Sequence, residues 1–379
     1  MQGHAPARSG PGTLADVILF RAPTQVRQPA KSAMQTRDVI LSPIHALRVA
    51  SGAKSFAGNP ILGAPALNRR GLHVGRVRLA QDLAERRRVS LAAPIPAGQR
   101  EAFARDGFVS VPDFLPRATF EGVLVELERA DFERIDMRQG RTITRRALID
   151  HESLRGRPHL EAAKNDARLR DLIRYVASYG GEPLLTLQIV LAGAAGDADP
   201  QTMLHADTFH PTAKAWLFLR DVGEDDGPFQ YVPGSHRMTP ERYGWERRIS
   251  ENPDAIENVY ARRGSFRVAA DELPALGYGA PQAMTVRANT LVVADTHGFH
   301  SRVPSPHATT RIEIYGSLRR NPFMPVSLPH LAALPGIAGR TDKLAQRAYA
   351  WRQRLGGKGS PWVSIGRGRV DEWPSDLPR

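Results

Sequence analysis

The sequence predicts a mostly β fold with flanking helices, an α+β class, and three observations lead to that prediction. From residue 183 to residue 318, short apolar runs alternate with turns rich in Gly, Pro and Asp, a pattern typical of a sandwich, jelly roll or barrel. Helical segments precede these runs and can form a layer that supports a sheet. A length of 379 residues with 41% hydrophobic content is sufficient for one large domain with extensions or for two ordinary domains.

Residues 1–95 are predicted to form a basic, irregular N-terminal extension. Gly and Pro recur early in this segment and break any periodicity, and residues 1–99 contain 14 Lys and Arg against 4 Asp and Glu. A short basic helix is expected over 77–88. Three interpretations are open for the extension: an arm packed on the core, a partner-binding segment and a partly disordered tail.

A central domain is predicted over 96–325, and it begins with helices. A helix is expected over 97–105, followed by a short strand at 108–111. Pro116 begins a clearer helix with apolar residues at i, i+3, i+4 and i+7, and a later helix presents four apolar residues on one face. The two apolar sets are Phe120, Val123, Leu124 and Leu127, and Leu169, Leu172, Ile173 and Val176.

The strands follow, with one interruption and a basic C-terminal region. A charged insertion over 242–267 is expected to form a helix-and-loop lid beside the functional site. Residues 326–379 are predicted to contain a basic helix over 342–355 and then a tail rich in Gly, Pro and Trp. The expected strands are 184–191, 203–207, 215–219, 283–286, 291–293 and 311–317.

The net charge of +13 resides in the two ends of the chain. Residues 100–339 contain 29 Lys and Arg against 31 Asp and Glu, whereas 340–379 contain 9 against 4. Basic ends are most often solvated, and the sharper alternative is contact with an anionic carrier, a coenzyme or a lipid surface. Specific nucleic-acid binding is not expected.

Two absences narrow the class of protein further. The sequence has no Cys, which excludes disulfides, Cys-ligated clusters and thiolate nucleophiles. The first 20 residues lack the apolar core and cleavage site of a signal peptide, and the most apolar segment, 184–196, has 13 residues and is too short to span a bilayer. We therefore expect a cytoplasmic protein without a transmembrane segment.

The candidate metal site begins at the tripeptide His205-Ala206-Asp207. Alternate side chains of a strand share one face, so His205 and Asp207 are expected to point the same way. The segment 295–300, DTHGFH, offers histidines for a third ligand. Two His and one carboxylate with open positions is the arrangement that suits non-heme Fe(II) oxygenases.

Further motifs follow the tripeptide in order. The segment 105–115 is RDGFVSVPDFL, the segment 227–237 is GPFQYVPGSHR, and Arg311 lies eleven residues after His300. Together, these motifs resemble the phytanoyl-CoA dioxygenase family of Fe(II)/2-oxoglutarate oxygenases. That family has His-x-Asp, then a Gly…Pro-Gly-Ser-His segment, then a distal His with an Arg about eleven residues later. The resemblance covers about residues 100–325.

The resemblance implies a double-stranded β-helix core, which is a jelly roll of the cupin type, and a set of site residues. By position, His205, Asp207 and His300 would ligate the iron. Arg311 would bind the distal carboxylate of 2-oxoglutarate, to which a guanidinium offers a bidentate fork. The rival arginines, with poorer spacing, are Arg302, Arg319 and Arg320.

Three more positions are interpreted through the same resemblance. The spacing to Arg311 favours His300 over His297 as the third ligand and leaves a catalytic role of His297 open. Gln188 and Trp216 lie on expected strands where the family contacts its co-substrate, and a core-facing role is the alternative for both.

The activity that the resemblance implies is hydroxylation of an unactivated C–H bond of a small-molecule, acyl-type or lipid-type substrate, with release of succinate and CO2. Fe(II), 2-oxoglutarate as co-substrate and O2 would be required, with ascorbate as reductant in vitro. Asp207 occupies the position that a halogenase leaves vacant for halide, so the implied enzyme is a hydroxylase.

Two other functions are open. The first is a cupin-like enzyme that uses the same ligands with Zn(II) or Mn(II) for non-oxidative chemistry, in which Arg311 would have no role. The second is a non-catalytic binding protein on a decayed oxygenase fold, whose basic ends engage an anionic partner. The intact set of ligands argues against the second function.

Overall fold

The computed structural model of the chain describes residues 42–194, 199–325 and 361–379, and residues 43–379 form one compact unit. The helices are α1 (Ser42–Val49), α2 (Pro65–Arg69), α3 (Leu72–Leu91), α4 (Ala97–Asp106), α5 (Arg117–Glu128), α6 (His151–Leu154), α7 (Pro158–Asn165), α8 (Ala167–Ala177), α9 (Pro240–Glu251) and α10 (Val259–Arg262). The strands are β1 (Phe108–Val111), β2 (Phe132–Gln139), β3 (Thr142–Leu148), β4 (Leu184–Ala192), β5 (Ala213–Phe218), β6 (Phe229–Tyr231), β7 (Gln282–Ala283), β8 (Leu291–Asp295), β9 (His300–Arg302), β10 (Thr309–Leu318) and β11 (Val363–Gly368).

Two antiparallel sheets carry the fold. The larger has eight strands in the order β1-β8-β5-β10-β4-β3-β2-β11, and the smaller has the order β7-β6-β9. Strand β10 is central in the larger sheet, where it pairs with β4 along nine residues and with β5 along six. This architecture confirms the predicted fold class, a double-stranded β-helix with flanking helices.

Alternation along the central strands divides the apolar packing into two layers. Leu217 on β5 and Ile314 on β10 lie on the side covered by helices such as α5 and α8. Trp216, Phe218 and Tyr315 point to the opposite side, toward the smaller sheet. Each large apolar side chain buried in this way contributes about 1.5–3 kcal/mol to the stability of the fold. Because a shift of one residue would turn these side chains to the wrong face, the alternation fixes which residues of each strand face the site between the sheets.

The N-terminal segment corrects one expectation, because from Ser42 onward it is helical and packed. Helix α3 contains the apolar positions Val77 and Ala80, both completely buried, which pack with Phe209. The segment 42–95 is therefore an arm packed on the core, one of the three interpretations left open, and the expectation that it is irregular is wrong. Part of the reason is that buried arginines interrupt the apolar stripe of α3.

Three other expectations have mixed outcomes. Residues 203–207 form no regular strand, because His205 makes single bridges to Arg267 on one side and to His300 on the other. The insertion 242–267 begins inside α9 and includes α10, Trp245 packs in an apolar cluster, and the role of the insertion as a lid stays a prediction. The tail at 363–368 is a strand that pairs with β2, whereas the expected helix over 342–355 lies outside the described residues.

Among the described helices, none combines the length and the apolar character needed to cross a bilayer.

Candidate functional site

Reciprocal backbone hydrogen bonds place two of the predicted ligands side by side. The amide of His205 donates to the carbonyl of His300 at 2.9 Å, and the amide of His300 donates to the carbonyl of His205 at 2.9 Å. Residues paired in this way lie opposite each other with side chains on one face. The two imidazole centroids are 4.4 Å apart, so both rings line the same end of the space between the sheets.

Asp207 is placed next to both rings by the turn that precedes β9. Its amide donates to the carbonyl of Thr296 at 2.8 Å, and its Oδ1 lies 3.8 Å from Nε2 of His205 and 3.8 Å from Nε2 of His300. Within the described ranges, these three residues are the group of His and acidic side chains whose ligand atoms converge, all within 4.8 Å of one another. The intervening Ala206 packs in an apolar cluster, as expected from alternation.

The hydrogen bonds of the two rings fix the tautomer that a metal requires. Nδ1 of His205 lies 2.8 Å from the carbonyl of Met203, and Nδ1 of His300 lies 2.9 Å from the carbonyl of Gly298. A carbonyl only accepts, so each Nδ1 carries the hydrogen and each Nε2 presents a lone pair. Nε2 of His300 is buried without a hydrogen-bond partner.

Burial and charge set the protonation states of the three residues. Burial lowers the pKa of His300 to about 4 and holds that of His205 well below its ordinary value, with its neighbouring imidazole as the second cause. Burial alone would raise the pKa of Asp207, but nearby positive charge, chiefly that of Lys214, outweighs it and holds the pKa well below its usual range. Two neutral imidazoles and one carboxylate therefore face one another.

Two lysines hold Asp207 on the side away from the histidines. Nζ of Lys214, on β5, lies 2.7 Å from Oδ2 of Asp207, which leaves Oδ1 directed at the rings. Lys54 donates from Nζ to the backbone carbonyl of Asp207, and burial lowers the pKa of Lys54 to about 8. No local sequence pattern marks Lys54 as a site residue, and it lies in the segment expected to be irregular.

A cavity of about 230 Å³ opens beside the triad. Gln188, Trp216 and Arg311, the predicted co-substrate contacts, all line it. Its wall also includes residues from β2 and β3 that the sequence analysis did not single out. The full lining is Met137, Gln139, Thr144, Arg146, Gln188, Gln201, His205, Asp207, Lys214, Trp216, Phe229, His300, Ser301, Arg302, Arg311 and Tyr315.

Arg311 lies on β10 with its guanidinium buried. It donates from Nη1 to the carbonyl of Gly227, and Nε lies 3.5 Å from Oε1 of the buried Glu313. Gln188 donates to the other oxygen of Glu313 at 3.0 Å. Burial lowers the pKa of Arg311 to about 10, which still leaves it charged at neutral pH. The cavity therefore has a fixed positive charge in its wall.

Trp216 and Arg146 line a side of the cavity where each packs against aromatic rings. The ring of Trp216 packs on Phe229, with centroids 4.4 Å apart. The guanidinium carbon of Arg146 lies 4.6 Å from the ring centre of Tyr315 and 4.7 Å from that of Trp362. The charged guanidinium of Arg146 therefore makes cation–π contacts with both rings. Trp362 precedes β11, so the C-terminal segment reaches the cavity wall.

The rival residues differ from Arg311 and His300 in their position or in their pairing. Arg302 lines the cavity but pairs with Asp199. Arg319 is exposed, and neither it nor Arg320 lines the cavity. His297 is fully buried with Nδ1 3.0 Å from the carbonyl of Thr208 and is absent from the lining, which favours His300 as the third ligand. That the triad binds a metal stays a prediction at this point.

Comparison with known protein families finds one match. The family model for phytanoyl-CoA dioxygenase (PhyH) matches residues 103–274. No curated protein matches the chain significantly.

Solved structures resemble the chain more distantly. HygX from Streptomyces hygroscopicus, crystallised with nickel, 2-oxoglutarate and hygromycin B, is 17% identical with a TM-score of 0.37, covering 59% of this chain and 86% of its own. The epimerase SnoN, in complex with Fe3+, alpha ketoglutarate and nogalamycin RO, is 19% identical with a TM-score of 0.38. The match covers 63% of this chain and 91% of SnoN. The carbocyclase SnoK from nogalamycin biosynthesis is 20% identical with a TM-score of 0.36. The match covers 60% of this chain and 85% of SnoK.

These likenesses are weak, so the ligands in those crystals describe those proteins only. The match to the family model is direct, and it includes the His205-Ala206-Asp207 tripeptide and the 227–237 segment. Residues 103–274 of this chain therefore match the phytanoyl-CoA dioxygenase family model, in agreement with the resemblance that the motifs indicate.

Proposed function

We propose that the chain is an Fe(II)- and 2-oxoglutarate-dependent oxygenase that hydroxylates an unactivated C–H bond of a small-molecule, acyl-type or lipid-type substrate. The observation that carries the proposal is the convergence of His205 Nε2, Asp207 Oδ1 and His300 Nε2 within 4.8 Å beside a cavity that contains Arg311. The family-model match of residues 103–274 supports the same proposal, because two His and one carboxylate are the ligands that suit non-heme Fe(II) oxygenases.

The residues fit the metal without rearrangement of their hydrogen bonds. His205 and His300 present unprotonated Nε2 atoms, and Asp207 presents one carboxylate oxygen while Lys214 neutralises the other. Bound Fe(II), together with 2-oxoglutarate and O2, supplies the oxidising power for C–H cleavage, with succinate and CO2 as co-products.

The other residues bind and orient. Arg311 holds the distal carboxylate of 2-oxoglutarate through its guanidinium fork, and the Gln188–Glu313 hydrogen bond keeps that guanidinium in place from behind. Trp216 and Phe229 form an apolar wall that limits water near the reacting atoms.

Residues of β2 and β3 line part of the cavity and would contact the substrate there. The basic ends of the chain would present a carrier-bound or lipid-bound substrate by attracting the anionic carrier or surface. The same C–H cleavage can end in hydroxylation, epimerisation or ring closure, and only the product separates these outcomes.

The test is turnover of 2-oxoglutarate to succinate, measured with and without Fe(II) and ascorbate over a broad substrate panel, with products identified by mass spectrometry. We expect Fe(II)-dependent succinate, and we expect His205→Ala or Asp207→Ala to abolish it. Absence of Fe(II)-dependent succinate, coupled or uncoupled, would refute the proposal. Zn(II)- or Mn(II)-dependent conversion without succinate would instead support a non-oxidative cupin-like enzyme.

Arg311 is tested separately through the co-substrate. Hydrogen bonds to a charged group contribute about 1.5–3 kcal/mol each, so Arg311→Ala should raise the KM for 2-oxoglutarate about 10- to 100-fold with a smaller change in kcat. Arg311→Lys keeps a positive charge beside Glu313 and should raise KM less. Arg319→Ala, at an exposed position just after the last residue of β10, is the control and should leave KM unchanged.

A further inference from the structure

Helix α3 lies outside the matched residues 103–274, yet it sends polar side chains into the interior. His73 and Arg88 are 5% and 4% exposed. Burying such groups costs free energy unless they are hydrogen-bonded or paired. Their partners therefore indicate what the helix stabilises.

The first partner of α3 is a buried ion pair on α9. His73 donates from Nε2 to Oε2 of Glu246 at 2.9 Å, and Arg242 donates from Nε to Oε1 of the same carboxylate at 3.0 Å. Burial alone would raise the pKa of Glu246, but the hydrogen bond from His73 and the charge of Arg242 outweigh it and lower the pKa to about 2. Glu246 is ionised and is shared by the two donors.

Arg242 then reaches the turn that carries His300. Its Nη2 donates to the carbonyl of His297 at 3.0 Å, and its guanidinium carbon lies 4.2 Å from the ring centre of Phe299. These two contacts bracket Gly298, whose carbonyl accepts the Nδ1 hydrogen of His300 at 2.9 Å. The guanidinium therefore fixes the peptide that orients the imidazole of His300.

The same helix holds the beginning of that turn. Arg88 lies 3.2 Å from Oδ2 of the completely buried Asp295. The other oxygen of Asp295 accepts from the amides of Thr212 at 3.1 Å and His297 at 3.0 Å. Both ends of the turn from Asp295 to Phe299 are thus tied to α3, one directly and one through α9.

We propose that α3 is a positioning element of the metal site, which sets the orientation of His300 and thereby the metal affinity. It acts directly through the ion pair of Arg88 with Asp295. It acts indirectly through His73, which binds Glu246 and so holds Arg242 against the turn. This inference rests on the proposed metal site. Residues that hold a metal ligand in place typically change metal affinity about 10- to 100-fold when replaced.

The test measures Co(II) binding to the full chain by its visible absorption, together with unfolding in urea without metal. Arg242→Lys keeps the charge beside Glu246 but loses the Nη2 hydrogen bond to the carbonyl of His297 and the guanidinium contact with the Phe299 ring, so the Kd for Co(II) should rise about tenfold. His73→Phe fits the aromatic surroundings of His73 but removes the donor to Glu246, so Kd should rise several-fold. The absorption bands of bound Co(II) should shift in both variants.

The matched control is Arg247→Lys. Arg247 pairs with Glu251 at the same i,i+4 spacing on α9, but on the solvent side, where the pair is 55% and 30% exposed. It should bind Co(II) like the original chain.

Each outcome decides the question. Kd values and absorption bands equal to those of the control in both folded variants would overturn the inference alone. If the original chain binds neither Co(II) nor Fe(II), the proposed function fails first. If Arg242→Lys does not fold, His73→Phe decides, since it leaves the Arg242–Glu246 pair intact.

Discussion

Acid should destabilise this protein steeply between pH 7 and pH 5, because histidines outside the metal triad are buried in the neutral form. Burial lowers the pKa of His210 to about 3, of His236 to about 2 and of His297 to about 3. In the unfolded chain each returns to about 6.5. Each therefore contributes stability that is complete above about pH 6.5 and is lost as the pH falls below it.

The magnitude follows from proton linkage. At pH 5 an unfolded histidine with a pKa of about 6.5 gains about 2 kcal/mol relative to pH 7, whereas a folded one with a pKa of 3 or below gains almost nothing. The three together amount to about 6 kcal/mol, and His205 and His300 add to this in metal-free protein. Since whole domains are stable by about 5–15 kcal/mol, we expect unfolding near pH 5.

The assay is urea unfolding in the presence of a chelator at pH 7.0, 6.0, 5.5 and 5.0. His236→Gln removes one of the three titrating groups, so its loss of stability between pH 7 and pH 5 should be about 2 kcal/mol smaller than that of the original chain. His307→Gln is the control because the side chain of His307 is 55% exposed, and it should behave like the original chain.

A flat profile between pH 7 and pH 5 in the original chain would refute the reasoning, as would equal slopes in the original chain and in His236→Gln. The first result would mean that the buried histidines have polar partners or water that keep them protonated in the folded state. The second would mean that other groups dominate the acid response.

Two further predictions concern packing and the C-terminal strand. Gly298→Ala would place a Cβ 1.8 Å from Oη of Tyr231, so it should weaken Co(II) binding and lower the free energy of unfolding by several kcal/mol. Its control is Gly75→Ala at an exposed helical site with nothing within 4 Å of the new Cβ, which should be neutral or stabilising by up to about 1 kcal/mol. Equal urea midpoints for the two variants would contradict this prediction. Arg145→Lys loses a two-pronged ion pair with Asp136 and hydrogen bonds to the chain just after β11, so hydrogen exchange over 363–368 should be several-fold faster, while Arg138→Lys, in an exposed pair, should leave the exchange unchanged.

The strands that carry the site were predictable because their signals are local. The expected strands 184–191 and 311–317 fall inside β4 and β10, since both are apolar or alternating runs that pack between layers. The His-x-Asp tripeptide and the His300–Arg311 spacing also identified positions that the fold brings together around one cavity.

The elements that were missed depend on partners distant in sequence. Strand β3 reads as polar because Arg145 and Arg146 occupy it, and these side chains are accommodated by distant partners such as Asp136 and the ring of Tyr315. The sequence predicts only the part of α3 over 77–88, whereas the helix spans Leu72–Leu91. Its apolar periodicity is weak, because partners such as Asp295, 207 residues after Arg88, accommodate its polar side chains. Lys54 likewise bonds to a carbonyl 153 residues away, for which no local pattern exists.

The arrangement of strands separates two tasks. The ligands and Arg311 lie on β9, on the central β10 and on a segment held by reciprocal backbone bonds, so any displacement there disturbs several hydrogen-bonded neighbours at once. Another part of the wall comes from β2 and β3, close to the edge of the larger sheet, where Met137, Gln139 and Arg146 line the cavity. Side-chain changes near an edge disturb fewer packed neighbours, so substrate selection can change there while the metal and co-substrate positions stay fixed. We therefore expect exchanges at these edge positions to alter substrate KM without altering the KM for 2-oxoglutarate.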